Sequence, residues 1–230
     1  MEGRGMIHPT AIIHHDAKIN STAIIEPYCI IGSDHGGLLI GPGSIIRSHS
    51  VIEGGSTIGD QLETGHYVLI RHDNEIGRNL RIGTGSSLEG GGIIGDYVRI
   101  HGRVEMTKGV INSFARIYAD CYITDNRLPP SNVNVPVIIG EGAVVTIGCV
   151  LVAGVKLGIG SFVGANTTVT KDIPDGMALV GGKLKPVTEL SWMGLTYPWT
   201  AYYRDGYPEE AWPRMEKLNT RILAALKYPE

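Results

Sequence analysis

Two phenylalanines are all that this chain of 230 residues contains, and cysteine stops at three. A core so short of large rings must be filled by aliphatic side chains. Three thiols at these spacings also make neither a disulfide framework nor a cysteine metal site. A basic surplus is missing as well: 20 Lys and Arg stand against 23 Asp and Glu, a net charge of -3. Nucleic-acid binders usually carry the opposite balance, so no nucleic-acid partner is expected. No apolar run approaches the roughly 18 residues that a membrane-spanning helix needs. The opening MEGRGMIHPT has no apolar stretch of the secretory-signal kind, so a cytoplasmic location is expected. Disorder is excluded, because 43% of residues are hydrophobic and only 19% charged. Against these shortages stand 32 glycines, about twice the usual share. Glycine in excess with few aromatics implies tight turns repeated around a narrow aliphatic core.

A period of six runs through most of the chain. It starts at Ile7, Ile13, Ile19, Ile25 and Ile31, slips by three, and resumes at Ile40 to continue through Ile70, Ile76, Ile82, Leu88, Ile94, Ile100 and Met106. One residue is lost before Ile111, Ile117 and Ile123, and ten are gained before Ile139, after which the steps reach Val169. These 26 anchors hold 18 of the 28 isoleucines, and only Thr64 is neither aliphatic nor Met. The fourth residue after each anchor is commonly small, as at Ala23, Cys29, Ser50, Ser56, Cys121 and Cys149. The residue directly after the anchor is often glycine, which suits a tight corner. All three cysteines fall at the small site and read as buried small hydrophobes.

Six matches neither the 3.6 of a helix nor the two of a simple strand. It fits a short strand plus a corner, with three units making one triangular coil. Stacked coils form a parallel β-helix in which each covers the apolar face of the last. Nearly nine coils, at about 4.8 Å each, give a prism roughly 42 Å long. Face A carries Ile70, Leu88, Met106 and Ile123; face B carries Ile76, Ile94 and Ile111; face C carries Ile82, Ile100 and Ile117.

The pattern resembles the hexapeptide-repeat acyltransferases over about residues 7 to 182. The resemblance implies an all-β fold, a left-handed parallel β-helix, and a homotrimer. The expected division is a β-helix over 1–182, with loop insertions near 32–39 and 124–138, and an aromatic-rich tail over 183–230. All three tryptophans (Trp192, Trp199, Trp212) lie in the tail. From Pro208 the text reads as one helix, with Glu209 and Glu210 in its first turn and Trp212, Met215, Ile222 and Leu226 near helical spacing.

Both insertions leave from the end of face A, so both excursions emerge at one edge of the prism. Loops on a rigid scaffold are where function concentrates, and that edge is the candidate active site. His72 lies on it, in the text IRHDNEIG. The segment resembles the His-Asp corner of acyltransferases that act on nucleotide-linked sugars, and the resemblance makes His72 a general base. An imidazole suits that role near neutral pH. Asp73 either orients the ring or balances its charge. The wider segment, GHYVLIRHDNEIGRNLRIGTGSSLEGGGIIGDYVRIH, is similar to N-acyltransferases of nucleotide-linked amino sugars. Arg71 and Glu89 occupy the first corner site of successive coils and, with Asp125 and Asn126 at the start of the second excursion, are candidates for holding the sugar nucleotide. His35, in the first excursion, is a weaker candidate. His101 replaces a corner glycine at the end of face C; in a trimer it would reach the catalytic edge of a neighbour.

The regular coils GEGAVVTIGCVLVAGVKLGIGSFVGANTTVTKDIPDG match the part of the family that carries acyl-CoA. Thr146 and Gly164 are candidates for the wall along the pantetheine arm, and Lys171 for a CoA phosphate. Lys183 and Lys185 are further phosphate candidates. No metal is expected: His66 and His72 are six apart, so they leave consecutive corners and diverge, whereas zinc needs convergent ligands. The function expected is transfer of an acetyl or short acyl group from acetyl-CoA to the amino group of a nucleotide-linked sugar. O-acetylation of a sugar or small alcohol, a zinc β-helix of the carbonic anhydrase kind, and a non-catalytic trimeric scaffold are the alternatives.

Overall fold

The computed structural model describes residues 5–126, 133–192, 195–196 and 206–227. Short parallel strands, most of two residues, sit at the six-residue anchors and wind into a three-sided solenoid of about nine turns. Face A has nine strands, from Ile12–Ile13 to Thr168–Val169. Face B has eight, from Ala17–Ile19 to Lys156–Leu157. Face C has eleven and begins at Met6–Ile7. The register is that of the repeat, with Ile70 opposite Leu88 and Leu88 opposite Met106. Anchors therefore stack on anchors along the prism axis, and Ile25, Ile31, Ile46, Ile52 and Ile70 are fully buried.

The small site four residues on has its own chemistry. Ser50, Ser56 and Ser86 are buried, and each hydroxyl donates to a corner carbonyl of the next turn: Gly65, Arg71 and His101 respectively. The same oxygens accept the N–H groups of Val68, Asn74 and Val104. A small hydroxyl thus satisfies corner groups that the strand ladder cannot reach. Asn74 extends the column: its amide donates to the Arg71 carbonyl at 2.6 Å and accepts from Gly92 N–H at 3.0 Å. Cys29, Cys121 and Cys149 are free and buried at this level, and burial pushes the Cys29 thiol up from its ordinary range.

Face C runs on past the repeat. Met177–Val180 pairs in parallel with Phe162–Val163, and Lys183–Pro186 turns back against it. After a 3-10 turn at Glu209–Ala211, helix α1 spans Trp212–Lys227. It buries Met215, Leu218 and Ile222 in a second core with Tyr97, Phe114 and Tyr207. Arg214 pairs with Asp96 at 2.8 Å, and Arg221 pairs with Glu141. The buried Arg99 ties this layer down: its guanidinium donates to the Asn79 side chain and to the Gly206 carbonyl, and burial lowers its pKa to about 10. Trp199 and positions 127–132 of the second excursion lie outside the described residues.

Candidate active site

The corner after face A repeats every turn, so its side chains form columns. Glu53, Arg71 and Glu89 make the first column. Arg71 lies 3.7 Å from the Glu53 carboxylate through Nε and 3.4 Å from Glu89 through Nη1. His72 stands beside this ladder, half-buried, and its backbone N–H donates to Glu53 at 3.2 Å. Its Nδ1 meets Asp73 Oδ2 at 3.0 Å. Asp73 adopts a left-handed conformation at φ 60° to turn the corner, which aims its carboxylate back along the chain. Gly55 makes the room: a Cβ there would collide with that carboxylate. The contact places a proton on Nδ1 between ring and carboxylate and leaves Nε2 as the acceptor, the orientation a general base requires.

The first excursion folds over this corner. Ser33 Oγ accepts the N–H of Gly54 at 2.9 Å, and Gly55 N–H donates to the Gly37 carbonyl at 3.0 Å. His35 is thereby stacked on His72, with centroids 4.6 Å apart and planes 27° from parallel. Glu53 escaped the sequence reading. The period alone points to it, because Glu53, Arg71 and Glu89 are 18 residues apart.

Asp125 is buried at the foot of the second excursion, its N–H donating to Thr107 Oγ1 at 2.7 Å and its carbonyl accepting from Val135 at 2.8 Å. Asn126 is exposed beside it and bridges to Asn134. Three turns separate His72 from Asp125, a span of about 14 Å along the edge.

His101, Thr146 and Gly164 occupy the edge after face C, whereas Lys171 follows Thr168–Val169 on the edge of His72. His101 stacks on Tyr118, with centroids 4.4 Å apart and planes 16° from parallel, and desolvation followed by the Arg116 charge holds its pKa below the ordinary imidazole value. Thr146 is half-buried, and its hydroxyl donates to the Val163 carbonyl at 2.7 Å. Gly164 lies one turn further on. It is buried, and a Cβ built on it would lie 3.3 Å from the Leu179 carbonyl oxygen and 3.4 Å from Val180. The strand Met177–Val180 stacks on it as the next turn of face C. Lys171 is exposed further along the prism. One chain alone does not bring His101 to His72, since they stand on different edges. His66 also lies off the His72 corner, its Nδ1 paired with Ser48 Oγ at 2.8 Å.

No family model matches the chain. It is 30% identical over 202 residues to an acyl-[acyl-carrier-protein]–UDP-N-acetylglucosamine O-acyltransferase of Syntrophobacter fumaroxidans, covering 82% of this chain and 76% of that protein. The chain belongs to the hexapeptide-repeat acyltransferases of nucleotide-linked sugars. It is also 30% identical over 205 residues to the bifunctional protein GlmU of Prochlorococcus marinus, across 78% of this chain and 42% of the relative. It spans under half the length of the GlmU relatives it matches. Among solved structures, the UDP-N-acetylglucosamine acyltransferase from Campylobacter jejuni superposes with a TM-score of 0.67 at 19% identity, over 92% of this chain and 82% of that one. The Francisella novicida UDP-N-acetylglucosamine acyltransferase gives 0.60 at 18%, over 92% and 78%. These likenesses carry the fold, and the solenoid of this acyltransferase-family chain is the family's left-handed parallel β-helix.

Proposed function

We propose that the protein transfers an acetyl or short acyl group from acyl-CoA to the amino group of a nucleotide-linked sugar. The observation that carries this reading is the His72–Asp73 pair on the edge where both excursions emerge. Nε2 of His72 takes a proton from the sugar nitrogen as that nitrogen attacks the thioester carbonyl. A backbone N–H stabilises the developing oxyanion. The C–S bond then breaks, and the imidazolium returns its proton to the departing CoA thiolate. Glu53, Asp73, Glu89, Asp125 and Asp172 outnumber Arg71, Lys108 and Lys171 along the edge, a balance that draws in the ammonium form of an amino sugar, which gives one proton to solvent before the neutral amine attacks and passes its second to His72. That charge favours an amine over a neutral hydroxyl as acceptor. Arg71, Asp125 and Asn126 line the acceptor path; Thr146 and Lys171 serve the donor end.

A homotrimer completes the site in this reading, with His101 of one chain approaching the catalytic edge of the next. No helix among the described residues is long and apolar enough to cross a membrane. A second reading, O-acylation from an acyl carrier protein, draws on the Syntrophobacter relative, an acyl-[acyl-carrier-protein]–UDP-N-acetylglucosamine O-acyltransferase. Thiol release separates the two. Turnover of acetyl-CoA with UDP- or dTDP-linked amino sugars, and none with the corresponding hydroxyl sugars, is the expected result. Turnover only with acyl carrier protein and hydroxyl acceptors selects the second reading, and no turnover or CoA binding with any pair leaves a trimeric scaffold.

A further inference from the structure

Among the described residues, two clusters gather three metal-ligating side chains each: His14, His15 and Asp16, and His35, Glu53 and His72. We propose that the second is a binding site for a divalent transition-metal ion of the zinc class. One nitrogen from each imidazole and one Glu53 oxygen lie within 4.8 Å of one another. They come from three separate segments: the first excursion, the corner of one turn, and the corner of the next. The sequence reading expected no metal because it paired His72 with His66; the fold pairs His72 with His35 and Glu53 instead.

The surroundings are those of a ligand set. The ring centroids stand 4.6 Å apart, which keeps a nitrogen of each imidazole within reach of the Glu53 carboxylate. His72 Nδ1 meets a carboxylate, Asp73 Oδ2, at 3.0 Å. Metal-bound histidines almost always present their second ring nitrogen to such a partner, which fixes the tautomer and raises ligand basicity. Donor atoms around zinc stand about 3.3 Å apart when the bonds are roughly 2.0–2.1 Å, so a modest inward shift of His35 closes the set. Two imidazoles and one carboxylate suit zinc, cobalt(II) or nickel(II) rather than magnesium or calcium. Three protein ligands leave a position open to water or substrate. The first cluster differs in coming from three consecutive residues of one corner, with His14 paired to Asp34 at 3.0 Å and His15 to Asp16 at 3.1 Å.

An ion here takes the lone pair that proton transfer needs, so metal loading silences the enzyme; this consequence rests on the reading of His72 as the base. The test titrates chelator-stripped full-length protein with Co²⁺ and follows both saturable binding and visible absorption. One ion per chain is expected, with the spectrum of four- or five-coordinate cobalt, displaced by Zn²⁺. His35→Ala and Glu53→Gln should abolish the spectrum while circular dichroism stays that of the wild type. Asp73→Asn should weaken binding about 10–100-fold, and His15→Ala should leave it unchanged. No saturable binding by the wild type, or an unaltered spectrum in His35→Ala, overturns the site. Turnover with and without chelator is read separately. Cobalt binding with turnover indifferent to chelation upholds the metal site and counts against His72 as base. Absent binding with normal turnover does the reverse.

Discussion

His72 contributes little packing, so its removal should act on chemistry rather than on folding. His72→Ala should lower kcat by about 10²–10⁴-fold, the usual loss for a general base, with KM changed far less. Steady-state kinetics beside a thermal melt checks this, and turnover within threefold of wild type would end the catalytic assignment. His101 is expected to behave differently. If it lines a neighbour's edge, His101→Ala raises KM more than it lowers kcat. It also carries a pH signature. Desolvation and Arg116 hold its folded pKa below the ordinary value, so the unfolded chain binds its proton more readily. This contribution is therefore full above the unfolded value near 6.5 and is lost as pH falls from there through the lower folded value. Melting temperatures at pH 7.5 and 5 should diverge more for the wild type than for His101→Asn.

At the scale of elements, α1 and the prism meet through a match of spacings. Left-handed glycines at the corner before face C, Gly142, Gly160 and Gly176, stack one turn apart, and a Cβ on each would strike Leu218, Ile222 and Leu226 respectively. Those helix residues are four apart, about 6 Å along the axis, against a coil rise of about 4.8 Å. Three glycines thus form a groove for one ridge of the helix. One and two turns earlier the same column holds Phe114 and Tyr97, whose rings stack at 5.2 Å and take the edge of Tyr207. Gly160→Ala should cost roughly 2–4 kcal/mol, the sum of an unfavourable left-handed alanine and an overpacked contact. Gly181 has φ 57° and nothing within 4 Å of its would-be Cβ, so Gly181→Ala should cost only about 1–2 kcal/mol. Denaturant unfolding of the pair measures the difference, and equal losses would show that the helix does not seat in the groove.

The whole molecule is a rigid rod whose turns are each paired to neighbours above and below, and its flat walls suit self-association about a three-fold axis. Light scattering should give about 74 kDa, three times the 24.7 kDa chain. An active monomer would remove the shared-site role of His101. Mixing His72→Ala with His101→Ala chains tests the sharing directly. At substrate well below KM, where His101→Ala alone is slow, interfaces that draw both wild-type edges should recover activity in the mixture, while edges confined to one chain should not.

Much of this protein is legible in one dimension because a β-helix is a one-dimensional fold. The anchors, the three faces, the edge from which both excursions emerge, the buried cysteines and the placement of His72 beside Asp73 all follow from counting residues. Each turn repeats the contacts of the last, so register in sequence is register in space. The same counting would have added Glu53 to the column of Arg71 and Glu89. Features outside the period were decided by tertiary structure. His35 lies 37 residues before His72, and only the fold of Ser33–Gly37 over Gly54 and Gly55 stacks the two rings. The repeat ends at Val169, yet Met177–Val180 adds one more turn to face C beyond Gly164. The helix text from Pro208 is plain, but its seat is not, because three glycines that each look like an ordinary turn residue become a groove only when the coils are stacked. Periodicity encodes what each residue does relative to the next turn; what covers the stack is encoded by complementary shape, and shape requires three dimensions.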